Sequence, residues 1–419
     1  MTTLLIVLAC VAVLVCALVV PSKIRLALAL SGGLALVVFV PAGTIGTGVV
    51  SSVAGMILAL IWMFVVAITA GRAVRFPRYF GLYIGVVALG FLSAFVANDV
   101  QPFNLLAAAV PLGMALLAGS LNTQEWSIVK VVIIVMGLIQ AALCVVESVV
   151  LKAPLFAAVA YGVNPLLGDA IRGQGTLGHP LVAALTILVG FGLVLASTYR
   201  VIVKLVLMAA LFLGIVATGS TSAIIAAIFC LTVGLIVTGS TSSRIARFAI
   251  VICVAIFVVT LSLVPSSLTD DVSGVNSVHR TNSLLAFPRL ITERSVFESL
   301  FGSGWGSATS LYERNVLIND GFFAIDNQFT TIAAVSGLIG FLLFVSFLAL
   351  ILLKSRGAMR VVLLTLMVMF ASFDVLSWVA TSSLFVVCVA LALREAQDAS
   401  DASQQSLRPG DRSPADLSA

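Results

Sequence analysis

Charged residues are scarce in this chain: they make up 9% of its 419 residues, whereas apolar residues make up 61%. A soluble domain of this length needs a polar surface that such a composition does not supply, and the mean hydropathy of +1.22 points the same way. The composition therefore excludes a soluble globular protein and predicts a polytopic membrane protein.

Cysteine and histidine are also rare, with six and two residues respectively. Every cysteine lies within an apolar run and none forms a Cys-x-x-Cys motif, so the sequence predicts neither disulfides nor a cysteine-based metal site. The formal charge of +5 would suggest a nucleic-acid partner in a soluble protein. Here the cations lie mostly in short loops between apolar runs, where they mark membrane topology, and we predict no nucleic-acid partner.

Apolar runs close to the roughly 20 residues that span a bilayer recur along the chain, and they show no strand alternation. We predict an all-α, polytopic transmembrane helical bundle of about 12–13 spans, because backbone groups in lipid must be satisfied within each segment. Thirteen spans place the N-terminus outside, and a miscount at one end gives twelve spans with both ends inside. The predicted spans are residues 2–20, 24–41, 48–70, 79–97, 102–119, 127–148, 180–198, 203–218, 221–238, 246–264, 329–353, 358–372 and 375–393.

Lysine and arginine in the short loops assign those loops to the cytoplasm. Alternation of the spans then places two longer polar segments on the outer side of the membrane. The predicted organisation is an N-terminal bundle (1–264) with an outer loop at about 149–179, a large extracytoplasmic loop (265–328), C-terminal transmembrane helices (329–393) and a disordered cytoplasmic tail (394–419).

The first outer loop ends in a glycine-rich stretch, Ile171–Leu181. Its glycines allow a ligand to approach the backbone closely, and the guanidinium group of Arg172 offers a planar fork of donors suited to phosphate oxygens. Pro180 is suited to the first position of a helix. A plain helix start explains the same residues, and His179 could either bind a donor phosphate or cap that helix.

The large outer loop contains seven carboxylates and four arginines within residues 265–327, but no lysine. Arginine used to the exclusion of lysine favours bidentate recognition of phosphate or carboxylate groups. Pairing of these arginines with the carboxylates at a solvated surface is the alternative, and each such pair contributes only about 0–1 kcal/mol. The four arginines are Arg280, Arg289, Arg294 and Arg314.

Several motifs, in their order along the chain, resemble those of the O-antigen ligase and O-antigen polymerase superfamily over about residues 165–350. They are Arg-x-x-Gly-Thr-x-Gly-His-Pro-Leu at 172–181, Thr-Gly-Ser at 218–220, Phe-Gly-x-Gly-Trp-Gly at 301–306, Asp-Asn-Gln at 326–328 and Ser-Gly-Leu-Ile-Gly at 336–340. The resemblance implies a GT-C-like fold and a metal-independent glycosyltransferase without a cofactor. Such an enzyme moves a saccharide from a polyprenyl-pyrophosphate carrier to an acceptor glycan or lipid on the outer face of the cytoplasmic membrane.

The same resemblance implies roles for individual residues. Asp326 stands where ligases of the family usually carry a histidine, and an ionised carboxylate can accept the proton of an acceptor hydroxyl. His279 is the second candidate for this base, and Asn327 and Gln328 are expected to orient the acceptor. The residues expected to bind the donor pyrophosphate are Arg172, Arg289, Arg280, Arg294 and His179.

The chain departs from the family pattern at two positions. Asp326 replaces the usual histidine, and Thr221 stands where members often carry an arginine. The first departure favours a polymerase or another surface-glycan transferase over a ligase, and the second leaves the geometry of donor binding open.

A transporter or flippase for polysaccharide or lipid-linked saccharide is the alternative function. Such proteins usually contain repeated halves and ionisable residues near the middle of the membrane, and the sequence shows no convincing repeat. Lys130, Glu147 and Asp374 lie in or beside the spans, which makes them functional candidates by position. For Asp374 the alternative is a helix break at the outer interface.

Overall fold

The structure, a computed structural model, describes residues 20–40, 49–97, 100–156, 162–238, 274–318 and 325–406. Within these residues it contains α-helices with short 3₁₀ and π turns, and no β-strand, which confirms the predicted all-α class for this part of the chain. The α-helices are α1 (Arg25–Phe39), α2 (Val49–Thr69), α3 (Phe80–Val96), α4 (Pro102–Ala118), α5 (Thr123–Val145), α6 (Pro180–Ala196), α7 (Val201–Ala217), α8 (Thr221–Thr238), α9 (Gly274–Thr292), α10 (Val296–Phe301), α11 (Ala308–Glu313), α12 (Gln328–Lys354), α13 (Gly357–Met369) and α14 (Val379–Ser406).

Four helical stretches are long and apolar enough to cross a membrane, and seven further apolar helices have 10–17 residues. They suggest a helical membrane protein, and together they correspond to eleven of the thirteen predicted spans. The other two predicted spans, 2–20 and 246–264, fall almost entirely outside the described residues. The four long stretches are Ser22–Phe39, Thr123–Leu151, Gln328–Lys354 and Val379–Gln397.

Helix α6 forms the centre of the bundle. All of its residues from Pro180 to Val194 are buried, and it packs against α5, α7, α8 and α13. A helix that is apolar all round is buried in this way. Glycines allow a close approach to α5, because a Cβ at Gly137 would lie only 3.4 Å from the Cα atom of Gly190. The first residue of this central helix follows His179 directly, so the core of the bundle positions that imidazole.

The segment predicted as the large extracytoplasmic loop folds largely into helices where the structure describes it. Helices α9 and α10 pack against α12. A separate apolar cluster joins Leu290 of α9, Leu311 and Tyr312 of α11, and Ala334 of α12. Helices α9 and α11 bury apolar side chains in this cluster, and such tertiary packing supplies the stability that short isolated helices lack.

Helix α12 is broken at Gly337, whose φ of 65° and ψ of −168° are not helical. The backbone carbonyl groups at the break have partners: the amide nitrogen of Ser303 donates to the oxygen of Ala334 at 2.8 Å. A Cβ at Gly302 would lie 2.1 Å from the oxygen of Val335, so this position accepts only glycine. The glycine-rich motif at 301–306 therefore caps a helix break.

The C-terminal end of α14 differs from the sequence-based expectation. The sequence predicts a disordered tail from residue 394, whereas the helix continues through Ser406 and residues 407–419 lie outside the described part of the chain. The segment after Leu393 contains alanine, glutamate and glutamine, which favour helix. Glu395 also forms an ion pair with Lys130 of α5 at 2.5 Å, which ties the extended helix to the bundle.

Candidate functional site

A buried carboxylate fixes the conformation of the glycine-rich loop. Glu147 lies in the π-helical turn that follows α5, and its side chain is fully buried. One carboxylate oxygen accepts the backbone N–H groups of Gln174 and Gly175, each at 2.7 Å, and the other accepts that of Leu155 at 2.8 Å. Single π turns of this kind often occur at functional sites. Glu147 thus positions the glycine-rich loop, whereas its place next to a predicted span indicated only that it was a functional candidate.

Further polar side chains hold the same loop from α5 and α1. Gln140 donates to the hydroxyl of Thr176 at 2.5 Å and accepts its backbone N–H at 3.2 Å, while that hydroxyl donates to the carbonyl of Val38 at 2.5 Å. Ser148 donates to the carbonyl of Ile171 at 2.7 Å. Because these bonds are buried, the loop is a fixed part of the bundle.

Arg172 brings two of the sequence motifs together. Its Nε atom donates to the carbonyl of Thr218 at 3.2 Å. Gly219 follows in a left-handed conformation, with φ of 62°, and a Cβ there would lie 3.2 Å from the Cγ atom of Arg172. The guanidinium group therefore lies over the turn that precedes α8. Backbone N–H groups at a helix N-terminus and a nearby arginine are together suited to an anion.

His179 is the N-cap of α6, where its Nδ1 atom accepts the backbone N–H of Leu181 at 3.3 Å. Its ring also packs against Phe373 and Trp378, with ring centroids 6.0 and 5.0 Å away. Burial, together with the positive charge of Arg172, lowers the pKa of His179 to about 4. The imidazole is therefore neutral at pH 7, and because Nδ1 is an acceptor, Nε2 carries the hydrogen. The helix-capping alternative is confirmed.

Asp374 lies in the break between α13 and α14, which bears out the helix-break alternative for this residue. Its carboxylate accepts a hydrogen bond from the hydroxyl of Ser377. Burial raises the pKa of Asp374 to about 7, and the negative charge of Asp326 acts in the same direction. Asp374 is also the neighbour of Phe373, which packs on His179. Asp326 and Asp374 therefore interact, and the segment that carries Asp374 also contacts the imidazole through Phe373 and Trp378.

Asn327 and Gln328 connect Asp326 to this break. Asn327 is the N-cap of α12: its side chain accepts the backbone N–H of Thr330 at 3.0 Å and donates to the carbonyl of Ala371 at 3.1 Å. Gln328 accepts the backbone N–H of Leu376 at 2.6 Å. Both side chains are buried, so they hold the start of α12 against the segment that carries Asp374.

One atom of Gln328 is left without a partner. Its Nε2 nitrogen is buried and has no hydrogen-bond partner among the described residues. A buried donor without a partner costs about 1–3 kcal/mol. This N–H group is therefore available to an acceptor atom from a bound molecule at the start of α12.

Arg289 and Arg294, which were both predicted to bind the donor, have protein partners away from this cluster. Arg289 lies on the exposed side of α9, where its Nε atom bonds Glu293 at 2.8 Å. Arg294 donates to the carbonyl groups of Ala333 and Ala334, both at 3.0 Å, on the first half of α12. Arg294 therefore caps the break in α12, a role that depends on contacts about 40 positions away in the sequence.

His279 and Arg280 lie in the first turns of α9, and their side chains are outside the described part of the structure. Of the predicted site residues, the structure brings Arg172 near His179, and it brings Asp326 near Asp374. It adds Asp374 and Trp378, of which only the first carried a signal in the sequence. Within the described residues, no group of three or more histidine, cysteine, aspartate or glutamate side chains could hold a metal ion.

The sequence matches no protein-family model, and it has no significant match among curated proteins.

Proposed function

We propose that this chain is a membrane glycosyltransferase that transfers a saccharide from a polyprenyl-pyrophosphate-linked donor to an acceptor glycan or lipid on the outer face of the cytoplasmic membrane. It would act as a ligase or a polymerase of surface polysaccharide. One observation supports the proposal: Arg172 lies near the neutral imidazole of His179, and this imidazole packs against the segment that carries Asp374, which interacts with Asp326. Such a site offers donors for a pyrophosphate and a base for a hydroxyl at the level of a membrane surface.

In this proposal the donor pyrophosphate binds to Arg172 and His179. Negative charge develops on the pyrophosphate as the bond from the sugar C1 atom to the phosphate oxygen breaks. Fixed hydrogen-bond donors stabilise such charge, and removal of one donor from a comparable site typically costs about 100-fold to 1,000-fold in rate. The buried bonds of Glu147 to the loop keep the guanidinium group in place. Arg172 is therefore the residue on which donor binding depends most.

Asp326 accepts the proton of the acceptor hydroxyl as the hydroxyl oxygen attacks the sugar C1 atom. The electron pair of the broken bond leaves with the polyprenyl pyrophosphate, and the proton remains on the carboxylate. Asp374, whose pKa is raised to about 7, can hold a proton near neutral pH. Two neighbouring carboxyl groups with different protonation states divide acid and base roles in this way.

The other predicted residues take secondary places in the proposal. Asn327 and Gln328 orient Asp326, and the Nε2–H group of Gln328 can bond the acceptor. His279 and Arg280 stay candidates for the base and for donor binding. Arg289 and Arg294 receive supporting roles, because their guanidinium groups bond Glu293 and the carbonyl groups of α12 rather than the loop that carries Arg172.

A flippase or transporter is the second candidate, and the broken helix α12 is the feature that favours it. In many transporters the freed backbone groups of a broken helix face a cavity and bind the substrate. Here Arg294 and the amide of Ser303 bond the carbonyl groups at the break. We therefore place the glycosyltransferase first.

The test is a transfer assay in proteoliposomes with a polyprenyl-pyrophosphate oligosaccharide pool from the host. Released carrier and glycan length are measured for the wild-type chain, Arg172→Gln, Asp326→Asn and the control Arg289→Gln. Carrier release coupled to a transferred or lengthened glycan, lost in the first two variants and kept in the control, is the expected result. Movement of the intact donor between leaflets without carrier release would instead establish the flippase.

A further inference from the structure

A cavity of about 210 Å³ lies at the end of the bundle opposite the candidate site. Helix α12 starts at the site with Gln328 and ends at the cavity with Lys354, and α14 likewise runs from the site to the cavity. The other walls come from the segment before α3 and the end of α4. The residues that line the cavity are Pro77, Arg78, Tyr79, Ala118, Gly119, Lys354, Arg356, Ala390, Leu393, Arg394, Ala396 and Gln397.

Among the described residues, the lining of this cavity contains four cationic side chains and no carboxylate. The side chains of Arg78, Lys354 and Arg356 make no hydrogen bond or ion pair with any residue that the structure describes. The carboxylate nearest in sequence, Glu395, is bonded to Lys130 of α5 at 2.5 Å. Like charges that converge in one cavity repel one another, so Arg78, Lys354 and Arg356 favour an anionic ligand there.

One wall of the cavity is fixed before any ligand binds. The segment before α3 lies directly on Gly119, where a Cβ would be 2.3 Å from the carbonyl oxygen of Arg75. The hydroxyl of Ser120 accepts the backbone N–H of Arg75 at 2.6 Å. Tyr79, which precedes α3, has a left-handed backbone with φ of 72° although it is not glycine. Such strain persists only where the surrounding structure enforces it, and it often lies at binding sites.

We propose that this cavity binds the phosphate group of an anionic phospholipid. A phosphate offers several acceptor oxygens to the guanidinium groups of Arg78 and Arg356, while Lys354 adds a point charge. The cavity lies at the ends of apolar helices, where lipid headgroups meet a membrane protein, and basic pockets between such helices bind anionic headgroups. Ala390 and Leu393 give the cavity an apolar side that suits a lipid better than a free anion. This inference does not depend on the proposed transfer reaction.

The test uses the full chain, purified in a neutral detergent, and native mass spectrometry to count bound lipids. Phosphatidylglycerol is compared with phosphatidylcholine, whose headgroup has no net charge, and with inorganic phosphate as competitor. The pocket variant is Lys354→Gln with Arg356→Gln. The matched control, Lys23→Gln with Arg200→Gln, removes two cations that lie outside this cavity. Thermal unfolding without lipid shows that each variant is folded, and Arg78→Gln is a second pocket variant on a different segment.

We expect wild type and the control to bind phosphatidylglycerol at least tenfold more tightly than the pocket variants do, with little binding of phosphatidylcholine. Equal binding of phosphatidylglycerol by all variants would overturn the proposal. Inorganic phosphate that displaces the lipid at equal concentration would assign the cavity to a free anion and overturn the lipid as its ligand. A further double variant, Asp398→Asn with Asp401→Asn, removes two carboxylates that follow the cavity residues in sequence. If phosphatidylglycerol bound to this variant and not to wild type, the chain's own carboxylates would fill the cavity, and the proposal would be overturned.

Discussion

Two polar segments between apolar helices carry the arginines of interest, and the structure holds them in different ways. The loop that contains Arg172 is fixed by buried groups, chiefly the carboxylate of Glu147. The outer helices α9–α11 use surface pairs such as that of Arg289 with Glu293, whose side chains are 33% and 44% exposed. The buried carboxylate of Glu147 fixes the backbone of the loop, and the loop in turn positions the guanidinium group of Arg172. The exposed ion pair is weaker, because water screens its charges. Arginines with similar sequence contexts therefore differ in what they can do.

The largest expected effect is on transfer activity, which should depend on the candidate site and not on helices α9–α11. Asp326→Asn keeps the shape of the side chain but removes the base, so we expect saccharide transfer to fall by about 100-fold or more. Glu313→Gln on α11 removes a carboxylate from the outer helices and should leave transfer within about twofold, since surface substitutions usually change free energies by less than about 0.5 kcal/mol. Carrier release in proteoliposomes measures both. Equal losses in the two variants would remove the distinction between the segments.

The anchoring of the two segments can be compared by stability. Glu147→Gln places an NH₂ group against backbone N–H donors, so we expect it to lower the free energy of unfolding by about 1–3 kcal/mol. Glu293→Gln breaks only the exposed pair with Arg289 and should leave the free energy of unfolding nearly unchanged. Thermal unfolding in detergent, followed by circular dichroism, measures the difference. A smaller effect of Glu147→Gln would mean that the buried carboxylate does not anchor the loop.

Much of the fold could be predicted from the sequence, because apolar runs of membrane-spanning length determine where the helices lie. The helices of the outer segment could not be predicted in this way. Their apolar residues, such as Leu290 and Tyr312, have no clear periodicity and form helices by packing on α12. The predicted span 375–393 begins four residues late, at Val379, because the segment before it bonds to the start of α12.

The candidate site was predictable only in part. The motif at 172–181 indicated Arg172 and His179, since both lie on one continuous loop. The interaction of Asp326 with Asp374 joins two segments that are far apart in sequence but close in the fold, so no local sequence pattern indicates it. The role of Arg294 was missed for the same reason, because its partners Ala333 and Ala334 belong to a later helix.

Arg294 gives a prediction of intermediate size within the outer segment. Arg294→Gln leaves the carbonyl groups of Ala333 and Ala334 without their guanidinium donors, so we expect a loss of about 1–3 kcal/mol in the free energy of unfolding. Arg314→Gln breaks an exposed pair with Glu298 and should cost no more than about 1 kcal/mol. Chemical denaturation in mixed micelles ranks the two variants. If Arg314→Gln were the more damaging, Arg294 would not be the main support of the helix break.

A further prediction concerns Asp374 and depends on pH. The pKa of this carboxyl is raised to about 7 in the folded chain, above its ordinary value of 3.8. Between these two pH values the folded state keeps a proton that the unfolded state has released, so wild-type stability is lost as pH rises through about 7. Asp374→Asn cannot lose that proton. The unfolding temperature of Asp374→Asn relative to wild type should therefore increase from pH 5 to pH 8, with the exposed Asp169→Asn as control. A difference that is constant with pH would contradict the raised pKa.

The most direct test of the central claim is the affinity of the chain for a fluorescent polyprenyl pyrophosphate in nanodiscs, measured without turnover for wild type, Arg172→Gln and Arg289→Gln. We expect Arg172→Gln to weaken binding by about tenfold or more, because a charge-assisted bond to phosphate is worth about 1.5–3 kcal/mol. Arg289→Gln should bind as wild type does. Binding that depends on Arg289 and is unchanged in Arg172→Gln would instead place the donor site at helices α9–α11.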